Sequence, residues 1–166
     1  MSRRQAERDF EEFYTAAAPQ VVHLVYASTG DMTVAQDSTQ EAFARAWQRW
    51  ATISTYDEPL AWVRTVARRI AISAWRKQGA QDRAYVRHGA PATAPGPGVD
   101  RVAVLEALQT LSDPIRQTVA LYYIADRSIE QIARETGAAV GTIKSHLHRG
   151  RRQLAEALEI KENDHA

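Results

Sequence analysis

Apolar residues recur every three to four positions along most of the chain, and this spacing predicts α-helices rather than strands. Short polar or glycine-containing turns separate the periodic stretches. We therefore expect an all-α protein made of two small helical domains. The predicted helices cover residues 5–28, 33–51, 60–76 and 102–111, a segment that starts at 112–114, and two segments within 128–152.

The apolar side of each predicted helix identifies the residues expected in a core. Pro19 lies inside the first helix and is expected to bend or break it. His23 lies on an apolar stretch and is expected in the core or at its boundary. The other core candidates are Phe10, Phe13, Tyr14, Ala17, Val21, Leu24, Val25, Val34, Phe43, Ala46, Trp47, Trp50, Val63, Val66, Ile70, Ala74, Val102, Val104, Leu105, Leu108, Leu111, Ile115, Val119, Leu121, Tyr122 and Ile124.

Residues 78–100 differ from the rest of the chain in composition. Glycine and proline occur there among small residues, with few apolar anchors. This composition predicts a flexible linker at a domain boundary. The expected domains are therefore residues 1–77 and 101–160, followed by a tail at 161–166.

The stretch 128–152 has the pattern of a helix-turn-helix. Ser128 and Gln131 have the spacing of a capping box, in which each side chain satisfies a backbone N–H group at a helix start. Ile129, Ile132 and Ala133 then form one buried face, and Gly137 is suited to end this short helix. A second, longer helix is expected to begin near Val140.

The second of these helices has two opposed faces. At helical spacing, Val140, Ile143, Leu147 and Leu154 group on an inward side. No acidic residue lies between Glu135 and Glu156, so the other side is cationic or neutral. This face could lie in a DNA major groove, which we prefer to the alternative of a solvated basic helix in an ordinary bundle. The outward residues are Ser145, His148, Arg149 and Arg152, with Lys144 and Arg151 beside them.

A second basic helix follows the polar loop at 52–58. Several arginines and Lys77 occur in a region without acids between Glu58 and Asp82, a combination that suits single-stranded nucleic acid. Trp62 and Trp75 could stack on bases, although a core role is favoured for each because aromatic residues at helical spacing are usually buried.

A polar stripe lies on the second predicted helix. Asp37, Gln40, Glu41 and Arg45 follow one another at spacings of three and four. From the pattern alone, a solvated face with a Glu41–Arg45 ion pair is the preferred interpretation, and a binding surface is the alternative.

Composition narrows the possible functions. The net charge of +1 means that nucleic-acid binding must depend on local patches. The chain has no cysteine, which excludes thiolate metal sites and fits a reducing cytoplasm. His146 and His148 are two residues apart and point to different helix sides, so they form a poor metal pair. No phosphate-binding loop or paired carboxylates occur, and no apolar run approaches the roughly 20 residues that span a bilayer. We expect a cytoplasmic protein that is not an enzyme and has no cofactor or metal.

Four segments, in order, resemble the small extracytoplasmic-function (ECF) type of sigma-70-family factor, which has conserved regions two and four only. DSTQEAFARAW at 37–47 is similar to the region-two helix that binds the clamp coiled coil of the polymerase β′ subunit. AWVRTVARR at 61–69 is similar to the promoter-melting helix. LSDPIR at 111–116 and VGTIKS at 140–145 resemble the start of region four and its recognition helix.

The resemblance implies a role for each segment. Core RNA polymerase, through its β′ clamp helices and β flap, and promoter DNA are the implied partners, and an anti-sigma factor is left open. The upstream (minus-thirty-five) element would be contacted by Lys144, Ser145, His148 and Arg149, with His146, Arg151 and Arg152 nearer the phosphates. The loop before the melting helix would hold a base flipped from the downstream (minus-ten) element. The implied downstream residues are Ser54, Thr55, Tyr56, Asp57, Trp62, Arg64, Arg68 and Arg69, and the implied polymerase-binding residues are Asp37, Gln40, Glu41, Arg45 and Trp47.

Four positions depart from the family pattern. Arg69 stands where many relatives have asparagine, and His146 stands where arginine is usual, which suggests a weaker or pH-sensitive phosphate contact. Ala138 and Ala139 provide no side-chain cap for the recognition helix. The rival class is a stand-alone helix-turn-helix repressor or activator, which would dimerise and bind a palindrome without polymerase.

Overall fold

The computed structural model describes residues 1–78 and 98–164, and each of these stretches contains one helical unit. No strand occurs in either stretch, which confirms the all-α prediction. Residues 79–97, the greater part of the predicted linker, lie outside the described residues, as do residues 165–166. The first unit contains α1 (Arg3–Thr29), α2 (Met32–Gln48), α3 (Trp50–Ile53) and α4 (Pro59–Lys77), and the second contains α5 (Gly98–Gln109), α6 (Asp113–Tyr123), α7 (Ile129–Thr136) and α8 (Val140–Asp164).

Helix α1 is continuous through Pro19, so of the two expected outcomes, a bend or a break, the break does not occur. Proline removes one backbone N–H group, which leaves the carbonyl of Thr15 without its helical partner. Pro19 and Thr15 are both exposed, and water can therefore satisfy that carbonyl. The helix ends at Gly30, whose φ of 72° lies in the left-handed region that glycine adopts without strain.

The core of the first unit lies between α1, α2 and α4. Asp31 begins α2 by accepting a hydrogen bond from the Val34 N–H group at 3.1 Å. The predicted helix at 33–51 is divided, because α2 ends at Gln48 and the short α3 follows. Small residues at the helix contacts allow close approach around Phe43. The buried members are Ala17, Val21, Val25, Val34, Ala35, Ala42, Phe43, Ala46, Trp50, Ile53, Val63, Ala67 and Ala71.

Several core candidates are exposed instead. His23 lies on the outer side of α1. Tyr14 and Trp47 are about two-fifths exposed, because they border an open groove rather than the packed interior. In the second unit, Val102, Val104, Ile124 and Val140 are exposed.

The second unit packs α5, α6 and α7 against α8. Arg116 of α6 donates a hydrogen bond to the Leu111 carbonyl at 2.9 Å and pairs with Asp113, which fixes the turn between α5 and α6. The turn before α7 contains Asp126 with a φ of 52°, a left-handed conformation that aspartate tolerates better than most residues. Helix α8 continues to Asp164, so most of the predicted tail is helical.

Among residues 1–78 and 98–164, no helix combines the length and the apolar character that spanning a bilayer requires.

Candidate functional site

Helix α8 has the two faces that the sequence predicts. Ile143 and Leu147 are 1% and 2% exposed and pack inward. Leu154 is half-buried, and Val140 at the first turn is the exception, being exposed. The opposite side forms an exposed row that combines positive charge with short polar groups. We call it the cationic row; its members are Lys144, Ser145, His148, Arg149 and Arg152.

The short helix α7 packs against α8. Its capping box is complete, since Gln131 N–H donates to Ser128 Oγ at 3.1 Å and Ser128 N–H donates to Gln131 Oε1 at 2.9 Å. Gly137 ends the helix with a φ of 75°, as predicted. Ile132 is fully buried, and a largely buried ion pair joins Arg127 before α7 to Glu135 near its end at 3.8 Å. Both ends of α7 are therefore fixed by contacts within residues 127–137.

His146 does not face outward with the cationic row. It is half-buried, and its Nδ1 atom lies 3.4 Å from the Thr118 hydroxyl on α6. This side chain, which the family resemblance implies to be near the phosphates, thus has its ring on the side of α8 that packs against α6. His148 is exposed, so the two histidines point to different sides as predicted.

Arg151 contacts two tyrosines on α6, and the sequence pattern does not predict this contact. Its Nε atom donates a hydrogen bond to the Tyr123 hydroxyl at 2.6 Å, and its guanidinium carbon lies 5.5 Å and 5.7 Å from the ring centres of Tyr122 and Tyr123. The hydrogen bond to Tyr123 raises the pKa of Arg151 above its ordinary value. No local signal could have revealed this contact, since 28 positions separate Tyr123 from Arg151.

The loop at 54–57 follows α3, and backbone hydrogen bonds to α3 hold its residues. Ser54 N–H donates to the Trp50 carbonyl at 2.9 Å, and Tyr56 N–H donates to the Ile53 carbonyl at 3.0 Å. Ile53 is 1% exposed, so the end of α3 from which the loop begins is part of the core. Within the loop, Thr55, Tyr56 and Asp57 are exposed, and Ser54 is half-buried. The loop thus offers hydroxyl, aromatic and carboxylate groups from a rigid support.

Helix α4 exposes its arginines unequally. Arg64, which the family resemblance implies to be a strand contact, is 6% exposed and interacts within the protein, because the helix side that carries it packs into the core. Arg68 is half-buried and also has an internal partner, whereas Arg69 is exposed. Trp62 is partly buried against the core, the role we favoured for it. The exposed cations Arg69, Arg76 and Lys77, together with Ile72 and Ser73, line a shallow depression.

An open groove lies between α1 and α2. Its floor is aromatic, with the ring centres of Phe10 and Trp47 5.2 Å apart and those of Tyr14 and Phe43 5.0 Å apart. Its rim carries Asp37, Gln40 and Glu41 from the polar stripe. Glu41 also forms the expected ion pair with Arg45 at 2.8 Å. The stripe therefore borders an aromatic surface to which α1 contributes Phe10 and Tyr14, two residues that the sequence pattern predicts only as core residues.

None of these surfaces has the form of a metal site. Within residues 1–78 and 98–164, no three histidine, aspartate or glutamate side chains come together in a way that could hold a metal ion.

Comparison with known proteins identifies the family. Residues 13–81 match the family model of Sigma-70 region 2, and residues 101–154 match that of Sigma-70, region 4. The chain is 30% identical to the ECF RNA polymerase sigma factor SigK of Mycobacterium tuberculosis, over 95% of the chain and 91% of that relative. The chain belongs to the sigma-70 family as an ECF sigma factor.

Further relatives agree with this assignment. The sigma factor is 33% identical to the ECF RNA polymerase sigma factor SigL of Mycobacterium tuberculosis, over 79% of the chain and 78% of the relative. Its structure is similar to that of the sigma factor RpoE of Bartonella quintana, solved in complex with the anti-sigma factor NepR, with a TM-score of 0.77 and 26% identity over 92% of this chain and 98% of that one.

The family defines the general activity. The protein is a sigma factor that directs transcription initiation, and its family consists of initiation factors that are not catalysts. Its two helical units correspond to regions 2 and 4, in the order that the four sequence segments predicted.

Proposed function

We propose that this sigma factor binds core RNA polymerase through the groove between α1 and α2 and recognises two promoter elements, one with each unit. The observation that carries the proposal is the cationic row of α8, which is exposed along one whole side while Ile143 and Leu147 bury the other. A helix with this arrangement can enter a major groove without exposing its core. The DNA-binding units would be residues 1–77 and 101–160, joined by a linker.

The upstream promoter element would be read by α8. Lys144, Ser145, His148 and Arg149 would face base edges, and Arg149 can form two hydrogen bonds with one guanine. Arg152 would neutralise a phosphate. Arg151 would contact a phosphate while its Nε atom donates to the Tyr123 hydroxyl. His146 is not assigned a DNA contact, because its ring contacts Thr118.

The downstream element would be captured by the loop at 54–57. Tyr56 is 42% exposed and can stack on an unpaired base, which typically contributes about 1–3 kcal/mol per base. Ser54, Thr55 and Asp57 can bond to the edge of that base. Arg69 would hold the backbone of the displaced strand, and Arg68 would assist it. Arg64 and Trp62 are excluded, since both belong to the packed interior or its edge.

Core polymerase would dock on the groove. Asp37, Gln40 and Glu41 provide an acidic and polar rim, and Trp47 offers an exposed aromatic face beside it. Such a surface fits a partner helix that carries basic and aliphatic side chains, and the resemblance assigns that helix to the β′ clamp. Arg45 would act through its ion pair with Glu41.

Regulation by an anti-sigma factor is the remaining part of the proposal. RpoE of Bartonella quintana was crystallised with its anti-sigma factor NepR, and the present chain matches it over 92% of its length. We infer that a protein of this class binds the present sigma factor and competes with polymerase. Because the proposed partners are polymerase and promoter DNA, the protein would act in the bacterial cytoplasm.

Transcription in vitro tests the proposal. Core enzyme with and without the full chain is supplied with fragments of the source genome, and new transcript starts that require the sigma factor are mapped. We expect a set of starts that share two sequence elements, and gel shifts that appear only when core enzyme is present. Tight binding of the free protein to a palindrome, with no dependent transcript, would instead favour the repressor class.

A further inference from the structure

Helix α8 has a glycine in its interior, at position 150. Gly150 lies inside Val140–Asp164 and is buried. Glycine in a helix interior is unfavourable compared with alanine, because it loses more conformational freedom on folding. Its backbone conformation does not require glycine either, since the positive φ values of the described glycines belong to Gly30 and Gly137. The reason for Gly150 must therefore be found in packing.

The packing against α6 leaves no room for a side chain at this position. A Cβ atom at residue 150 would lie 2.5 Å from Cγ2 of Val119 and 3.1 Å from Cγ2 of Ile115. Val119 and Ile115 are 3% and 8% exposed. Both are β-branched residues with stiff χ1 angles in a helix, so they cannot turn away easily. A methyl group at 150 would have to push α8 away from α6.

The neighbours of Gly150 connect this close contact to the cationic row. Arg149 precedes it, and one turn earlier His146 meets Thr118 of the same helix α6. Ile143 and Leu147 continue the inward side. A displacement or rotation of α8 at residue 150 would therefore move the whole outward face relative to the rest of the unit.

We propose that Gly150 is a positioning residue for promoter recognition: the close approach of α8 to α6 at this glycine sets the rotation and depth at which the cationic row meets the upstream element. This inference rests on the function proposed above. It assigns specificity to a residue that contacts no DNA itself, and to the Val119 and Ile115 methyl groups that receive it.

The test is Gly150→Ala in the full chain with core enzyme. The readout is the ratio of transcripts from a factor-dependent promoter with an intact upstream element to those from the same promoter with that element scrambled. We expect this ratio to fall about tenfold, since displacements on the order of 1 Å in positioned groups can cost up to about a hundredfold. Transcription from the scrambled promoter, which depends on the first unit, should change little.

A second variant separates positioning from simple loss of stability. Val119→Ala/Gly150→Ala removes the methyl group that a new Cβ would strike, and it should restore the ratio to that of Val119→Ala alone. Gly141→Ala is the matched control for helix propensity, because a Cβ there meets nothing within 4 Å. It should not lower the melting temperature, whereas Gly150→Ala should lower it.

The outcomes are distinguishable. A folded Gly150→Ala protein with an unchanged ratio would overturn the inference while leaving the proposed function intact. If Gly150→Ala fails to fold, a double variant that discriminates less well than Val119→Ala alone would also overturn it, and equal discrimination would support it. Absence of any dependent transcript with the unaltered protein would contradict the proposed function itself.

Discussion

The basic helices α4 and α8 look alike in sequence but use their charges differently. Helix α4 lies in contact with both α1 and α2, and Val63, Ala67 and Ala71 are buried there. Because so much of its circumference is covered, Arg64 is buried, and the exposed cations begin at Arg69. Helix α8 buries a narrower side and leaves a full row of polar and cationic groups outside. The number of arginines on a helix therefore says less about nucleic-acid binding than the extent to which other helices cover it.

The two units also differ in how their proposed sites are assembled. The cationic row belongs to a single helix, so residues close together in the sequence provide all of it. The groove needs Phe10 and Tyr14 from α1 together with Asp37 and Trp47 from α2. An exposed helix side suits the major groove of duplex DNA, whereas a concave surface suits a partner helix or an unpaired base. Four substitutions test this division, beginning with the largest expected effect.

Asp37→Arg should weaken binding to core polymerase about a hundredfold, because like charges brought together at an interface cost several kcal/mol. The fold should persist, since Asp37 is exposed. Pull-down of core enzyme measures the effect, and circular dichroism checks the fold. Glu12→Arg is the control, as it makes the same charge change on an exposed side of α1 outside the groove. Equal loss in both variants would mean that overall charge, rather than the groove, governs binding.

Arg149→Ala should cost about 1–3 kcal/mol of discrimination for the upstream element, the usual value for a side chain that reads a base. Competition between intact and scrambled promoters for the holoenzyme measures it. Arg134→Ala, which removes an exposed cation of α7 outside the cationic row, should leave the ratio unchanged. If Arg149→Ala lowers binding equally on both promoters, the residue contacts phosphate only.

Tyr56→Ala should slow promoter opening about tenfold, because loss of one stacked base costs about 1–3 kcal/mol. Reactivity of unpaired thymines in the downstream element follows opening directly. A template with that element already unpaired should recover most of the lost transcription. No recovery would show that Tyr56 acts before or after melting rather than in the capture of a flipped base.

Tyr123→Phe should have the smallest effect. It removes the hydroxyl that accepts from Arg151 but keeps the ring, so the second unit should lose about 0.5 kcal/mol of stability, the low end for a hydrogen bond because Tyr123 is 53% exposed. Hydrogen exchange of α8 amides in the full chain measures it. Tyr14→Phe serves as the control in the other unit. If Tyr14→Phe changes the hydrogen exchange of α8 amides by a similar amount, the effect does not come from the hydrogen bond to Arg151.

The predictable part of the protein follows from short-range rules. The capping box at Ser128, the helix end at Gly137 and the inward position of Ile143 depend on residues within one or two turns, and all three are confirmed. Burial is less predictable. Trp47 and His23 are predicted in the core or at its boundary but are exposed, because periodicity along one helix does not show which of its sides the neighbouring helices cover.

The sequence by itself determined the all-α class, the caps of α7, the two sigma-70 regions and the family, because these depend on local spacing and on segments whose order is visible along the chain. Tertiary structure decided which charges remain available to a partner. It buried Arg64, turned His146 towards Thr118, engaged Arg151 with Tyr123 and left no room for a side chain at Gly150. The physical reason is that burial and hydrogen bonding depend on contacts between residues far apart in sequence, and such contacts exist only once the helices have packed.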